Sequence, residues 1–203
     1  MSLLRRNVWT AGIFAALIAL PIVFVSVSPS RAASNPAESK KWFEKMATVM
    51  LYFRCINCHT VEDYPAQGDD HHRHANNIVR SASQRGTGGS GFGAGAGAVP
   101  CFSCHANSNQ AEGRQPGAFG WRQPPASMGW DKMKSVGELC RHVSDPNFNG
   151  GRDAAALVEH MRTDPLVQYA FDPGARSKPP LTQAEFHEAV QKWAETGAVC
   201  PDE

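Results

Sequence analysis

The pentapeptide that organises this chain occurs twice, as Cys55-Ile56-Asn57-Cys58-His59 and as Cys101-Phe102-Ser103-Cys104-His105. In each copy the two cysteines stand about one helical turn apart, and a histidine follows the second cysteine directly. The two copies are too close together along the chain to belong to two separate domains of ordinary size. The sequence therefore predicts one fold that contains both motifs.

This C-x-x-C-H pattern is the attachment signature of a c-type haem. Each thiol bonds a vinyl-derived carbon of one porphyrin, and the adjacent imidazole binds the iron from the same side. We therefore expect two covalently bound c-type haems. The residues assigned to them are Cys55, Cys58 and the proximal iron ligand His59 for the first, and Cys101, Cys104 and the proximal ligand His105 for the second.

Two other kinds of site use C-x-x-C pairs. Such pairs form zinc sites with four thiolates, and they form redox-active disulfides. Neither site needs a histidine directly after the second cysteine, yet both pairs here have one. Zinc sites of this type are also common in reducing compartments, whereas this chain begins like an exported protein. Haem attachment is therefore predicted ahead of both alternatives.

The N-terminus has the features of an export segment. Arg5 and Arg6 precede a long uncharged run, and Ser30-Arg31-Ala32 offers small residues for cleavage, as in a secretory signal peptide. The run is also long enough to span a bilayer. Residues 1–32 are therefore either a cleaved signal peptide or a membrane anchor through residues 8–28. Both alternatives place residues 33–203 in the periplasm.

Composition excludes several classes of protein. The chain has 203 residues, of which 19% are charged, with a formal net charge of +1. A polytopic membrane protein and a polyelectrolyte tail are excluded by these values. They also give no reason to expect nucleic-acid binding, because that activity usually requires a basic patch or stripe.

Helix signals recur along the exported part of the chain, and no stretch alternates like a strand. The predicted helices are one that begins at Pro36 and runs straight into Cys55, one that begins after Ser135 and includes Cys140 and His142, one over Asp153–Thr163, one over Pro165–Phe171, and one that begins after Thr182 and stops at Gly197. Residues 86–97 are rich in glycine and are predicted to form a loop. The expected class is mostly α with long loops.

Two cysteines remain outside the motifs, Cys140 and Cys200. In an oxidising compartment a leftover pair is typical of a disulfide, which here ties the middle of the chain to its C-terminus. Two free thiols are the alternative.

The sixth ligand of each iron decides what the haem does. Methionine raises the potential, a second histidine usually lowers it, and an open position allows ligand chemistry. Met128 is preferred because it lies in a proline-containing loop, and His74 because it belongs to a histidine cluster between the two motifs. His72 and His160 are the runners-up. Solvent-exposed positions are expected for His71, His142 and His187.

The chain resembles small periplasmic dihaem c-type cytochromes, including a group labelled isoquinoline 1-oxidoreductase subunit-like. The resemblance covers most of residues 50–201. It rests on both C-x-x-C-H motifs, Gln67–Asp70 with His72 and His74, Met128–Trp130, Leu139-Cys140, Asn149–Gly151, Glu159–Met161 and the stretch from Trp193 to Pro201. It implies a cytochrome c-like single domain whose long loops wrap both haems, and functional roles for His72, His74, Met128 and His160. The glycine-rich tract departs from the family pattern.

These features predict a periplasmic carrier of single electrons rather than an enzyme. The expected partners are redox proteins: a dehydrogenase or quinol-side donor, and a downstream cytochrome or oxidase. One alternative is a haem-wire subunit of a larger redox complex. A second is a peroxidase-like enzyme, which requires an open iron and an acid/base group such as His72 or His74 with Asp69 or Asp70.

Overall fold

The computed structural model describes residues 34–80, 101–111 and 115–202. Every described residue belongs to one compact unit. The predicted signal peptide or anchor and the glycine-rich tract at 86–97 lie outside the described residues. Among the residues that are described, no helix combines the length and the apolar character needed to cross a membrane.

About half of the described residues are helical, which confirms the mostly α class. The helices are α1 (Pro36–Met50), α2 (Phe53–Ile56), α3 (Val136–Ser144), α4 (Pro146–Asn149), α5 (Ala154–Thr163), α6 (Pro165–Phe171) and α7 (Gln183–Glu195). Two short strands, β1 (Ala66–Gln67) and β2 (His72–Arg73), form an antiparallel hairpin in which Gln67 pairs with His72.

The predicted helix starts are confirmed, and each has a local cause. Asn35, Ser135, Asp153 and Thr182 each accept a hydrogen bond from a backbone N–H in the first turn of the helix that follows. At Thr182 the capping box is complete, because the Glu185 carboxylate also accepts from the Thr182 backbone N–H at 2.8 Å.

The first helix differs from the prediction, because it ends at Met50 instead of continuing into Cys55. Tyr52 is extended, and the first motif begins on the separate short helix α2. The indole N–H of Trp130 donates to the Met50 carbonyl at 2.8 Å. That carbonyl would otherwise accept from the backbone N–H of Arg54 in a continuous helix. The side chain of Trp130, which is distant in sequence, therefore occupies the carbonyl that a longer α1 would need for its next backbone hydrogen bond.

The core lies between the N-terminal and C-terminal helices. Phe43 of α1 packs edge-on against Trp193 of α7, with ring centroids 5.6 Å apart, and both side chains are fully buried. The backbone N–H of Asn35 donates to the carbonyl of Thr196 at 2.9 Å, so the start of α1 is fastened to the end of α7. These contacts bring the two ends of the described chain together.

The predicted disulfide is present. Cys140 on α3 is bonded to Cys200, which follows α7, and their Cα atoms are 5.5 Å apart. It encloses the segment that contains α4, α5, α6 and α7.

Candidate functional site

A cavity of about 830 Å³ opens beside the first motif. Cys55, Cys58 and His59 line one part of it, and His160 of α5 lines another. Most of the remaining wall is apolar, and it comes from α1, α5, α6 and α7, from the loop over residues 122–130 and from residues 143–152. This volume is within the range of cavities that hold cofactors and drug-sized ligands.

The His59 imidazole is held from two sides. Its Nδ1–H donates to the Met128 carbonyl at 2.8 Å, and its ring stacks on Trp130 at 3.6 Å between centroids, with 16° between the planes. Among the described residues nothing hydrogen-bonds its Nε2. Burial lowers the pKa of His59 to about 3, with smaller effects from neighbouring charges that include His160. The imidazole is therefore neutral and has one nitrogen free to bind a metal.

The second motif has a cavity of its own, of about 410 Å³. There the Nδ1–H of His105 donates to the Pro116 carbonyl at 2.8 Å, and its ring stacks on Trp121 at 4.4 Å and 8°. Burial also lowers the pKa of His105. The two motif histidines therefore share one arrangement, a backbone carbonyl behind Nδ1 and an indole against the ring.

A glycine follows the carbonyl residue in both sites. A Cβ on Gly129 would collide with the backbone of Thr60, and a Cβ on Gly117 would collide with the backbone of Ala106 and Ser108. Thr60 and Ala106 are the residues that directly follow His59 and His105. In both sites, a glycine thus lets the loop behind the histidine approach the motif closely enough for the carbonyl to reach Nδ1.

His74 faces His105 across the second cavity. Their ring centroids are 6.0 Å apart, and the planes are inclined by 70°. The Nδ1–H of His74 donates to the Ala75 carbonyl at 2.8 Å, so its Nε2 is left for another partner. A metal–imidazole bond of about 2 Å, as in zinc sites, places two rings on opposite sides of one ion roughly 6 Å apart. The observed separation suits one metal ion between these histidines.

His72 also lines the second cavity, but both of its nitrogens are engaged. Nδ1 pairs with the Asp70 carboxylate at 2.5 Å, and Nε2 bonds the Gln67 amide at 2.9 Å. The hydrogen bond from His72 lowers the pKa of Asp70. His74 therefore suits the role of ligand better than His72.

Met128, the methionine predicted as a sixth ligand, lines the first cavity together with His59 and His160. Its carbonyl lies behind Nδ1 of His59, whereas a metal bound by His59 lies beyond Nε2. A methionine sulfur bound to the same metal would have to reach it from the side opposite His59. Met128 also lies outside the lining of the second cavity. Met128 and His160 of α5 both line the first cavity, so both stay candidates for a ligand opposite His59.

The motif thiols in the first cavity are strongly desolvated. Burial raises the pKa of Cys55 to about 12 and that of Cys58 to about 11. Reactive and metal-binding cysteines have lowered pKa values, because the thiolate is the active form. All four motif cysteines are free of disulfides. In the described ranges, no three His, Cys, Asp or Glu side chains come together in a group able to hold a metal ion.

The two cavities are neighbours. Arg54 and Arg122 line both of them. Cys58 of the first motif lies close enough to Cys101 of the second for the charge of one to raise the pKa of the other. The structure thus brings the two motifs together in one unit.

Sequence reasoning missed several residues that shape the sites. His71 is not a solvated loop residue: its Nδ1 bonds the Asn57 side chain at 2.8 Å and its Nε2 lies 3.3 Å from Asp131, whose side chain is fully buried. Arg80 is also buried and donates to the carbonyls of Thr60 and Pro124 at 2.8 and 2.9 Å. Both residues lie in a polar part of the sequence, where charged side chains are usually exposed, so the sequence did not predict that either one is held by these contacts.

His142 and His187 also differ from the surface positions expected of them. Both are half-buried. His142 stacks on Phe148 at 4.9 Å, and Nε2 of His187 donates to the Met161 carbonyl at 3.2 Å. Burial lowers the pKa of both. They form part of the packing around the helices.

Comparison of the chain with protein-family models, with curated proteins and with solved structures finds no match in any of the three.

Proposed function

We propose that this protein is a periplasmic dihaem c-type cytochrome that transfers single electrons. The observation that carries the proposal is the arrangement that both C-x-x-C-H histidines share. Each donates from Nδ1 to a backbone carbonyl at 2.8 Å and stacks on a tryptophan, with Nε2 directed away from that carbonyl. Metal-binding histidines typically use the second nitrogen in this way, because the hydrogen bond fixes both the tautomer and the ring orientation.

The residues of both cavities fit haem. Cys55 and Cys58 line the first cavity and Cys101 and Cys104 the second, each pair beside its histidine. The walls of the first cavity are mostly apolar, and burial in such surroundings is one of the means by which a protein tunes a haem.

The sixth ligands proposed here are both histidines. His74 opposite His105 is supported by the 6.0 Å ring separation. His160 opposite His59 is supported by its place in the wall of the same cavity and by its effect on the pKa of His59. Two histidine ligands on each iron suit a carrier with filled coordination positions.

Bound haem supplies the chemistry, a reversible exchange of one electron at each iron. The protein's own residues hold the imidazoles, shield the sites from water and keep the two cavities adjacent through Arg54 and Arg122. Redox proteins in the periplasm are the proposed partners, either as free donors and acceptors or as companion subunits of a larger complex.

Covalent haem content tests the proposal directly. The full chain is produced in a bacterium that exports it and attaches haem, and the intact mass of the purified protein is measured. We expect the mass of two haems. Changing Cys55→Ser with Cys58→Ser removes one haem, and changing Cys101→Ser with Cys104→Ser removes the other.

A matched control separates haem attachment from general damage. Cys140→Ser with Cys200→Ser also changes two cysteines, but these form the disulfide and lie outside both motifs. This variant keeps both haems. A wild-type protein that folds and is exported without covalent haem, or that holds zinc at the motif cysteines, would overturn the proposed function.

A further inference from the structure

Three of the four histidines proposed as iron ligands use backbone carbonyls to hold Nδ1. His59, His74 and His105 each donate to such a carbonyl at 2.8 Å. His160 differs, because its Nδ1 faces the Asp164 carboxylate, with Oδ2 at 3.6 Å. A carboxylate carries a full negative charge where a carbonyl has only a partial one, so the proposed ligand sets of the two haems are not equivalent.

The Asp164 carboxylate is fixed in place. Oδ1 accepts from the backbone N–H of Leu166 at 2.8 Å and so caps α6, while Oδ2 accepts from Arg122 at 2.6 Å. Only 11% of the Asp164 side chain is exposed. A rigid, largely buried carboxylate keeps its orientation toward His160 and is less screened by solvent than a surface charge.

Arg122 extends this contact toward the other motif. Its guanidinium also donates to the Gly120 carbonyl at 3.1 Å, and the next residue after Gly120 is Trp121, the indole stacked on His105. Arg122 lines both cavities. The pair formed by Asp164 and Arg122 therefore lies where the two cavities meet, with its negative member on the His160 side.

From this geometry we infer that Asp164 is a positioning residue that lowers the reduction potential of the haem held by His59 and His160, and so makes the two haems unequal. The inference rests on the proposed function. A carboxylate beside Nδ1 raises the basicity of the ligating imidazole, and a more basic ligand stabilises ferric over ferrous iron. The haem held by His105 and His74 has carbonyls in both of these positions and lacks this effect.

Arg152 and Arg122 oppose Asp164 at the same ligand. Both line the first cavity, and the charge of each lowers the pKa of His160, whereas that of Asp164 raises it. Asp164 is nevertheless the group within ion-pair distance of Nδ1, and the only acid so placed among the described residues. Removal of the Asp164 carboxylate should therefore change the reduction potential of the haem held by His59 and His160 measurably.

The test is a redox titration of the purified holoprotein and of Asp164→Asn, followed by optical spectroscopy. We expect one of the two midpoint potentials to rise while the other stays unchanged. A tenfold loss of ferric preference corresponds to about 59 mV for a one-electron couple. Low-temperature electron paramagnetic resonance of the ferric protein should show altered g-values for that same haem, which a distant structural effect would not produce.

The control is Glu159→Gln on the same helix. Glu159 is the residue before His160, but its carboxylate pairs with Arg162 at 2.6 Å and is 58% exposed. This variant should leave both potentials and both ferric spectra unchanged.

Each failure has its own signature. A protein without covalent haem contradicts the proposed function before the variant is made. Two attached haems whose potentials and ferric spectra are the same in wild type and Asp164→Asn overturn the role of Asp164 alone. A second variant, Asp164→Ser, keeps a cap for α6 and must give the same potential shift, since a shift seen only with asparagine would reflect a disturbed helix start.

Discussion

His72 and His74 differ by two positions in one loop, yet their nitrogens have different partners. Both nitrogens of His72 are taken by Asp70 and Gln67, whereas His74 uses only Nδ1, on the Ala75 carbonyl, and its ring centroid lies 6.0 Å from that of His105. The difference follows from the hairpin. His72 pairs with Gln67 across the strands, and His74 comes just after the second strand, where the chain turns into the cavity.

This contrast gives a paired prediction for the holoprotein. His74→Ala removes the ligand proposed for the second haem, so that haem becomes high-spin in the ferric state. His72→Ala leaves both haems low-spin, because it removes only the contacts to Asp70 and Gln67. Magnetic circular dichroism from the visible to the near infrared reports the spin state of each haem. A high-spin signal in His72→Ala together with a low-spin His74→Ala would reverse the assignment.

For single residues, the sequence could narrow the candidate sixth ligands to a few histidines and methionines, but it could not choose among them. The histidines between the motifs were recognisable as a cluster, but a two-residue hairpin gives too little alternation to be read from sequence. Met128 was preferred because of its proline-rich loop, while the structure shows that its backbone carbonyl makes the contact to His59. A carbonyl is present at every residue, so no side-chain pattern could have revealed that contact.

The helices show which parts of this fold are encoded locally. Each predicted start has its cap within three residues along the chain, and each one is present in the structure. The end of α1 has a distant cause, since Trp130 takes the Met50 carbonyl. Local sequence signals were therefore sufficient to predict where these helices begin. They could not predict the end of α1, because a tertiary contact determines it.

The capping box at the start of α7 carries a prediction of its own. Thr182→Ala removes the side-chain acceptor for the Glu185 backbone N–H and the hydroxyl that donates to the Glu185 carboxylate at 2.7 Å. We expect the free energy of unfolding to fall by about 1 kcal/mol, because α7 packs directly on α1. Denaturant unfolding followed by circular dichroism measures the change.

Thr48→Ala is the matched control. Thr48 is exposed, and its hydroxyl donates only to the Lys45 carbonyl at 2.8 Å within α1. This variant should change the free energy of unfolding by less than about 0.5 kcal/mol. Equal losses in the two variants would mean that the capping box adds nothing beyond an ordinary threonine contact.

At the scale of the whole molecule, the disulfide and the two motifs occupy different parts of the chain. The disulfide joins Cys140 to Cys200, two residues that are 60 positions apart in the sequence. The segment between them supplies α5, with His160, and α7, which packs on α1. Both C-x-x-C-H motifs precede it. The cross-link therefore restrains the part of the fold that closes over the first cavity, and the four motif cysteines lie outside its loop.

Removal of this cross-link should weaken the fold without removing either haem. For a loop of this length, the loss of restraint on the unfolded chain corresponds to about 4 kcal/mol. Cys140→Ala with Cys200→Ala should therefore unfold at a much lower guanidinium concentration, while its intact mass still includes two haems. Ser144→Ala is the control, because its hydroxyl lies 3.9 Å from both sulfurs but carries no cross-link. A double variant as stable as wild type would show that packing of α1 against α7 holds the closed segment in place without the covalent bond.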